Sequence, residues 1–454
     1  MNVATDREVA LARRLEWGLS EVSGGEAPPD VTAAVLARAA AGECVDVASG
    51  AAPAPPVRSG HVLAAALVLL GLAVVVGALV TARAGAPPPA APSFQLQDAG
   101  WTEVVDTDAI ATLPRETRSV ELRNLDDTAV AALVARCPEL QRLRVVATFS
   151  SPRVDDRQPA VSITDGAFDA IVKLGRLQVL ELVGTRAVKG PGLQRLAELP
   201  EPGLVSLTLR DFDTTDDALA VLPRLAALAA LDLSFNFGFR AAGVRSVAGC
   251  ANLRVLAISP FVLDATSSPL LARLTKLEEL SLPGGSGPRV ALFETWEQFA
   301  RDLDERGAGA FVEKSSGWPE LRRLDLRHGV VAATLGRHLR ETCPELRSVN
   351  LSHCRGVDDT TVAELVGLTH LQELDLTGCA GISEHCIPLL EASSQLRAIE
   401  LVDVPFMTLA LAERLLRSGK RLECWFTAVP RSGEGLSPAE FQRGLNELEQ
   451  RIGR

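Results

Sequence analysis

Residues 349–401 read VNLSHCRGVDDTTVAELVGLTHLQELDLTGCAGISEHCIPLLEASSQLRAIEL, and this stretch decides the fold. Short Leu-rich runs end on Leu351, Leu376 and Leu401, each 25 residues after the last. A polar turn follows the first two, then an apolar stretch at helical spacing, as in Val362, Leu365 and Leu368. A strand turns alternate residues to one side and a helix carries one apolar stripe, so each unit has two apolar sides that it cannot bury by itself.

The same phase extends in both directions. Strand ends fall at Leu122, Val145, Leu182, Leu209, Leu233, Ile258, Leu282, Leu326, Leu351, Leu376, Leu401 and Cys424. Nine of the eleven spacings lie between 23 and 27 residues, inside the leucine-rich-repeat period of about 20–29. The pattern predicts an α/β fold: a leucine-rich-repeat solenoid, or horseshoe, with a parallel concave sheet and outer helices over residues 119–426. Residues 94–118 read as its N-terminal cap and 427–454 as a C-terminal capping helix. There Ser437, Pro438 and Glu440 form a start signal, and Phe441, Leu445, Leu448 and Ile452 a stripe. The two long spacings, 37 and 44, carry insertions near 150–165 and 283–317, the second with an expected helix from about Phe293 to Arg306.

VNLSHCRGVDDTTVAELVGLTHLQELDL (349–376) and LDLTGCAGISEHCIPLLEASSQLRAIEL (374–401) resemble the cysteine-containing leucine-rich repeats best known beside F-box domains. The resemblance implies the horseshoe and partner binding. No F-box-like segment precedes the repeats, so it does not carry over that family's ubiquitin-adaptor role.

Composition fits a repetitive aliphatic core. Hydrophobic residues are 47% of the chain and aromatics 4%, with no tyrosine, so Leu, Val and Ala must supply the burial. The net charge of −11 contains no basic concentration, which argues against a nucleic-acid partner. Five lysines stand against 41 arginines, a bias that suggests a GC-rich bacterial genome.

The N-terminal part reads differently. No charge occurs between Arg58 and Arg83, and HVLAAALVLLGLAVVVGALVT (61–81) has the length of about 20 apolar residues that spans a bilayer. The expected order is a tail with a helical hairpin (1–58), a transmembrane helix (59–82) and a Pro-rich linker (83–93). A cleaved signal peptide, ending at Ala82-Arg83-Ala84, is the alternative. GGEAPPDVTAAVLAR (24–38) resembles the tails of planctomycete membrane proteins of anti-sigma-like layout. The expectation is a single-pass membrane protein with its N-terminus cytoplasmic and its solenoid extracytoplasmic. A cytoplasmic factor at residues 6–40 would make it a transmembrane regulator, and the reverse topology an intracellular membrane-bound adaptor.

Candidate function lies on the concave face. The central strand slot reads Glu121, Arg144, Glu181, Thr208, Asp232, Ala257, Ser281, Asp325, Asn350, Asp375, Glu400, an acidic excess of which part is habit in such repeats. SFNFGF (234–239) breaks the pattern: Phe239 falls in a core slot, whereas Phe235 and Phe237 do not, and exposed aromatics are typical interface anchors. Phe235, Phe237, Arg210 and Asp232, with Arg327 further along, form the expected partner-binding site for a protein or peptide; edge packing between repeats is the alternative.

Other features point to structure. Cys137, Cys250 and Cys343 sit where other repeats have leucine. Cys354 and Cys379 occupy the slot of Asn236, and His328 and His353 share a slot in adjacent repeats. The two sulfurs are the pair to test for oxidation if the domain is exported; two imidazoles without a third ligand are a poor metal site. No cofactor or metal is expected. GGSGP (284–288) misses the G-x-S-x-G elbow because residue 288 is proline, and no phosphate loop or HExxH occurs, so no enzyme is expected.

Overall fold

Strands and helices alternate without exception in the computed structural model, which describes residues 100–147, 161–200, 203–210, 214–263, 267–283, 308–426 and 436–452. The tail, the apolar run and the proline linker lie outside these residues, as does most of both insertions, including the helix expected at 293–306. Among the described residues no helix is long and apolar enough to cross a membrane.

Thirteen strands, β1 to β13 in chain order, form one parallel sheet in which each pairs only with its sequence neighbours. A parallel pair needs a crossover, and here each crossover is one return segment; among the described residues their α-helices run from four residues (Thr107–Ile110) to ten (Asp127–Arg136), joined in places by short 3-10 turns. This architecture fits a leucine-rich-repeat solenoid. The strand-end residues are buried throughout, from Leu122 to Cys424, in a single core shared with the return segments, among them Val362, Leu365 and Leu368. Each such aliphatic side chain contributes roughly 1.5–3 kcal/mol on burial.

The stretch read as an N-terminal cap contains an additional strand, β1 (Thr102–Val104), with Val104 in register with Leu122. Only 18 residues separate the two, below the repeat period, and Val104 is its one buried residue, which is why periodicity missed it. At the other end the helix Pro438–Ile452 buries Phe441, Leu445 and Leu448. Ser437 and Glu440 bond reciprocally there, through Ser437 N–H to Glu440 Oε2 (2.9 Å) and Glu440 N–H to Ser437 Oγ (3.3 Å). The Phe441 ring meets Phe426 edge-on at 5.1 Å.

Two polar ladders tie repeat to repeat. On the helix side, an acid at the start of one return segment caps the next: Asp165 accepts from the N–H groups of Lys189, Gly190 and Gly192, Asp216 from Arg240 and Gly243, and Asp359 from Ser383. Asp165 and Asp216 thereby satisfy donors that a helix N-terminus leaves open, whereas Asp359 holds the turn that leads into the helix Cys386–Ala392. Beneath the turns, Asn236 donates to the carbonyls of Leu209 and Leu233 and accepts from Thr214 Oγ at 3.0 Å. Cys354 and Cys379 hold the same place, their thiols donating to Leu326 O (3.0 Å) and Leu351 O (3.1 Å). Both cysteines are free and buried, and burial pushes the Cys379 thiol up to about 12. Cysteine therefore acts here as a small buried donor, not as a reactive thiol.

Asn236→Ala orphans buried carbonyls, so the urea midpoint should fall by the equivalent of about 2–3 kcal/mol; Cys379→Ala, which removes a weaker donor, should cost about 1 kcal/mol or less. Equal losses from the two variants would contradict this account of the ladder.

Candidate interaction surface

The return helices share one core with the inward leucines, so among the described residues the strand side chains that alternate with those leucines lie on the face away from these helices, the one expected from the pattern to be concave. Strand register places one side chain from each strand in a single row across it: Glu103, Glu121, Arg144, Glu181, Thr208, Asp232, Ala257, Ser281, Asp325, Asn350, Asp375, Glu400 and Glu423. Neighbours in such a row stand about 4.8 Å apart, the strand spacing.

The aspartates among these acids have a local cause. Asp232, Asp325 and Asp375 each accept, through Oδ1, the N–H two residues further on, at 2.8–3.0 Å, and Asn350 does the same for Ser352. A short side-chain acceptor at the strand end closes the turn, so Asp and Asn recur for that reason as much as for charge.

Toward the N-terminus the row is laced by ion pairs. Arg144 reaches Glu181 (2.6 Å) and Glu121 (3.1 Å), and Arg123 reaches Glu121 (2.5 Å) and Glu103 (3.0 Å). The guanidinium groups of Arg142 and Arg144 lie 4.3 and 4.4 Å from the centre of the Trp101 ring, within cation–π range. Nothing in the sequence marks Trp101, because only the fold brings it beside Arg142 and Arg144 of β3 (Arg142–Val146).

Four of the five expected contact residues are brought together, but not as equals. Arg210, at the end of β5 (Ser206–Arg210), bonds Asp232 on β6 (Ala230–Leu233) at 2.5 Å. The two residues are only 6% and 5% exposed, so their charges serve each other. Phe235 and Phe237 follow β6 and are half-buried; Phe237 packs on Phe261 at 5.5 Å, while Phe239 is fully buried. Arg327 stands apart, three strands along, or roughly 14 Å at the usual spacing. Its guanidinium bonds Asp325 (2.8 Å), and that carboxylate raises its already high pKa.

Phe235 belongs to a further column. The second residue past each of several strand ends has left-handed backbone: Asn124, Gly184, Phe235, His328, His353, Gly378 and Asp403, with φ between 53° and 70°. Glycine, asparagine and aspartate tolerate this; phenylalanine there is an outlier. The N–H groups of Asn124, Gly184, His328, His353, Gly378 and Asp403 extend the ladder past the strands, as His328 to Ser352 O (2.8 Å) and His353 to Thr377 O (2.6 Å).

In that column the rings of His328 and His353 stack, with centroids 4.8 Å apart and planes within 4°. The metal-binding lone pair of an imidazole lies in its ring plane, so two rings stacked with planes within 4° do not aim their nitrogens at one ion, and the stack as placed does not chelate. No group of three or more His, Cys, Asp or Glu suited to a metal occurs among the described residues.

Comparison with known proteins places this geometry in context. No family model matches the chain. One curated protein, the BTB/POZ domain-containing protein FBL11 of Arabidopsis thaliana, is 28% identical over 280 residues, which is 57% of this chain. The match spans about a quarter, 27%, of that relative. Among solved structures, an internalin (inlF) of Listeria monocytogenes aligns with 65% of this chain and 71% of its own, at 17% identity and a TM-score of 0.39. TLR13, solved with ssRNA13, aligns over 71% and 42%, at 17% and 0.40. Yeast Rad7, solved with Elc1, aligns over 93% and 98%, at 15% and 0.47.

Arg210→Ala leaves Asp232 buried without its counter-ion, and a loss of about 3–5 kcal/mol in unfolding free energy is expected. Arg210→Met with Asp232→Asn, which keeps the turn acceptor and removes both charges, should recover most of it. A double variant as unstable as the single would refute the charge-pair account.

Proposed function

We propose that this chain is a non-catalytic scaffold that binds a protein or peptide across the helix-free face of its sheet. The observation that carries this reading is the C-terminal part of the row, six polar side chains at the strand spacing from Ser281 to Glu423, with half-buried phenylalanines at the rim; Glu121, Glu181, Thr208, Asp232 and Ala257 are buried. Surfaces of this kind suit recognition, because aromatic anchors supply affinity and fixed charges supply specificity. Within the row, the ion-paired N-terminal half favours shape, whereas Ser281, Asp325, Asn350, Asp375, Glu400 and Glu423 are all half-buried and reachable. Phe235, Phe237 and Arg327 are the contact residues proposed; Arg210 and Asp232 hold the strand ends that present them.

A photo-crosslinking amino acid at Phe237 or Arg327 should trap a partner in cells, and one at Arg245 or Arg337 on the helix side should not. Adducts formed equally from both sides would exclude the helix-free face as the binding surface.

The apolar run at 61–81 supports a membrane tether, and with it a solenoid held off the bilayer by the proline linker. The full chain should remain in the membrane fraction after alkaline carbonate extraction, and a chain starting at residue 94 should not. Release of both would dismiss the tether. Added protease then reports orientation, and loss of function on deleting residues 1–50 would favour a regulator with a cytoplasmic factor.

A further inference from the structure

We propose that the stacked imidazoles of His328 and His353 form an acid-operated latch between neighbouring turns of the rim, closed when neutral and opened by protonation. The geometry sets the terms. The rings lie face to face at 4.8 Å, one from the turn after β9 (Arg323–Asp325) and one from the turn after β10 (Ser348–Asn350). Both residues have left-handed backbone, at φ 57° and 55°, which fixes where each ring can point. His353 cannot retreat on its far side: a Cβ at Gly378 would collide with the Nδ1 and Cε1 atoms of its ring. The stack is thus backed by the next turn, and two imidazolium ions could separate only by swinging outward or by dragging the His328 turn with them.

The surrounding charges do not favour a protonated pair. On the β9 side stand Arg327, which is cationic, and Asp325, which is already bonded to Arg327. On β11 (Glu373–Asp375), Asp375 accepts the Thr377 N–H through one carboxylate oxygen. The β10 turn contributes Arg355, which is exposed, and Cys354, whose thiol burial keeps protonated. Burial first, then the neighbouring His353 and Arg327, hold the His328 imidazole down to about 4. An unfolded or opened turn would instead take up a proton near 6.5. Between about pH 6.5 and 4 the opened state therefore binds more protons than the closed one, so acid favours opening. Each turn also donates its backbone N–H to the next, so ring separation loosens the rim beside Arg327 and leaves the buried strands paired.

The test uses hydrogen exchange in the full chain between pH 7.5 and 4.5, with rates corrected for intrinsic pH dependence. Protection at residues 326–332 and 351–357 should fall at least tenfold in acid, the factor of one unit of displaced titration. The turns at Asn124 and Gly184 should not respond. His328→Asn with His353→Asn, asparagine being what the column carries at 124, should abolish the response. The same acid response in the double variant, or unchanged protection in the natural chain, would overturn the latch. Should the double variant not fold, histidine NMR of the natural chain decides: the latch requires the His328 imidazole to titrate well below 6.5. An ordinary titration of His328 would overturn it.

Discussion

Everything on the helix-free face follows from one constraint, that thirteen strands pair in parallel without a slip in register. A slip of one residue would turn each inward leucine out and each polar residue in. The leucines prevent this, because the row through Leu122, Leu182 and Leu233 has nowhere else to be dry. The polar row is the complement of that dryness. Its spacing is set by the backbone ladder, and its identity is left to individual repeats.

Much of the architecture is legible in the sequence for the same reason. Leucine at a 25-residue period reports burial directly, so strand ends from 122 to 424 and core slots such as Phe239 and Val357 can be read without coordinates. β1 is the exception: an 18-residue spacing and a single buried valine carry too little periodic signal. The surface was less legible, because it depends on which side chains meet across strands. Nothing in the spacing of Arg210 and Asp232 announces a buried ion pair, and nothing near Trp101 announces two guanidinium groups over its ring. Such contacts exist only once the register is fixed. The recurrence of Asp in the strand slot, which looks like family habit in sequence, turns out to answer a local need for a turn acceptor.

The left-handed column explains another part of the rim. Positions there are filled by residues that accept the backbone, and then by whatever their neighbours permit. Gly378 is glycine because a ring lies against it, and His353 owes its stacking to that same vacancy. Phe235 is the costly member, a bulky residue with φ 59° beside the Phe237–Phe261 contact. Strain of this kind persists only where surrounding structure holds it, and it often marks a working surface.

The acids of the helix side bear on how such a chain can lengthen or shorten over generations. Asp165 and Asp216 each complete a helix that belongs to the following unit, and Asp359 ties down the turn that leads into one. A coil copied or lost singly would leave one carboxylate without its donors and one helix start without its acceptor. Inheritance of these modules should therefore run in linked pairs, with breakpoints falling inside the helices and not between them.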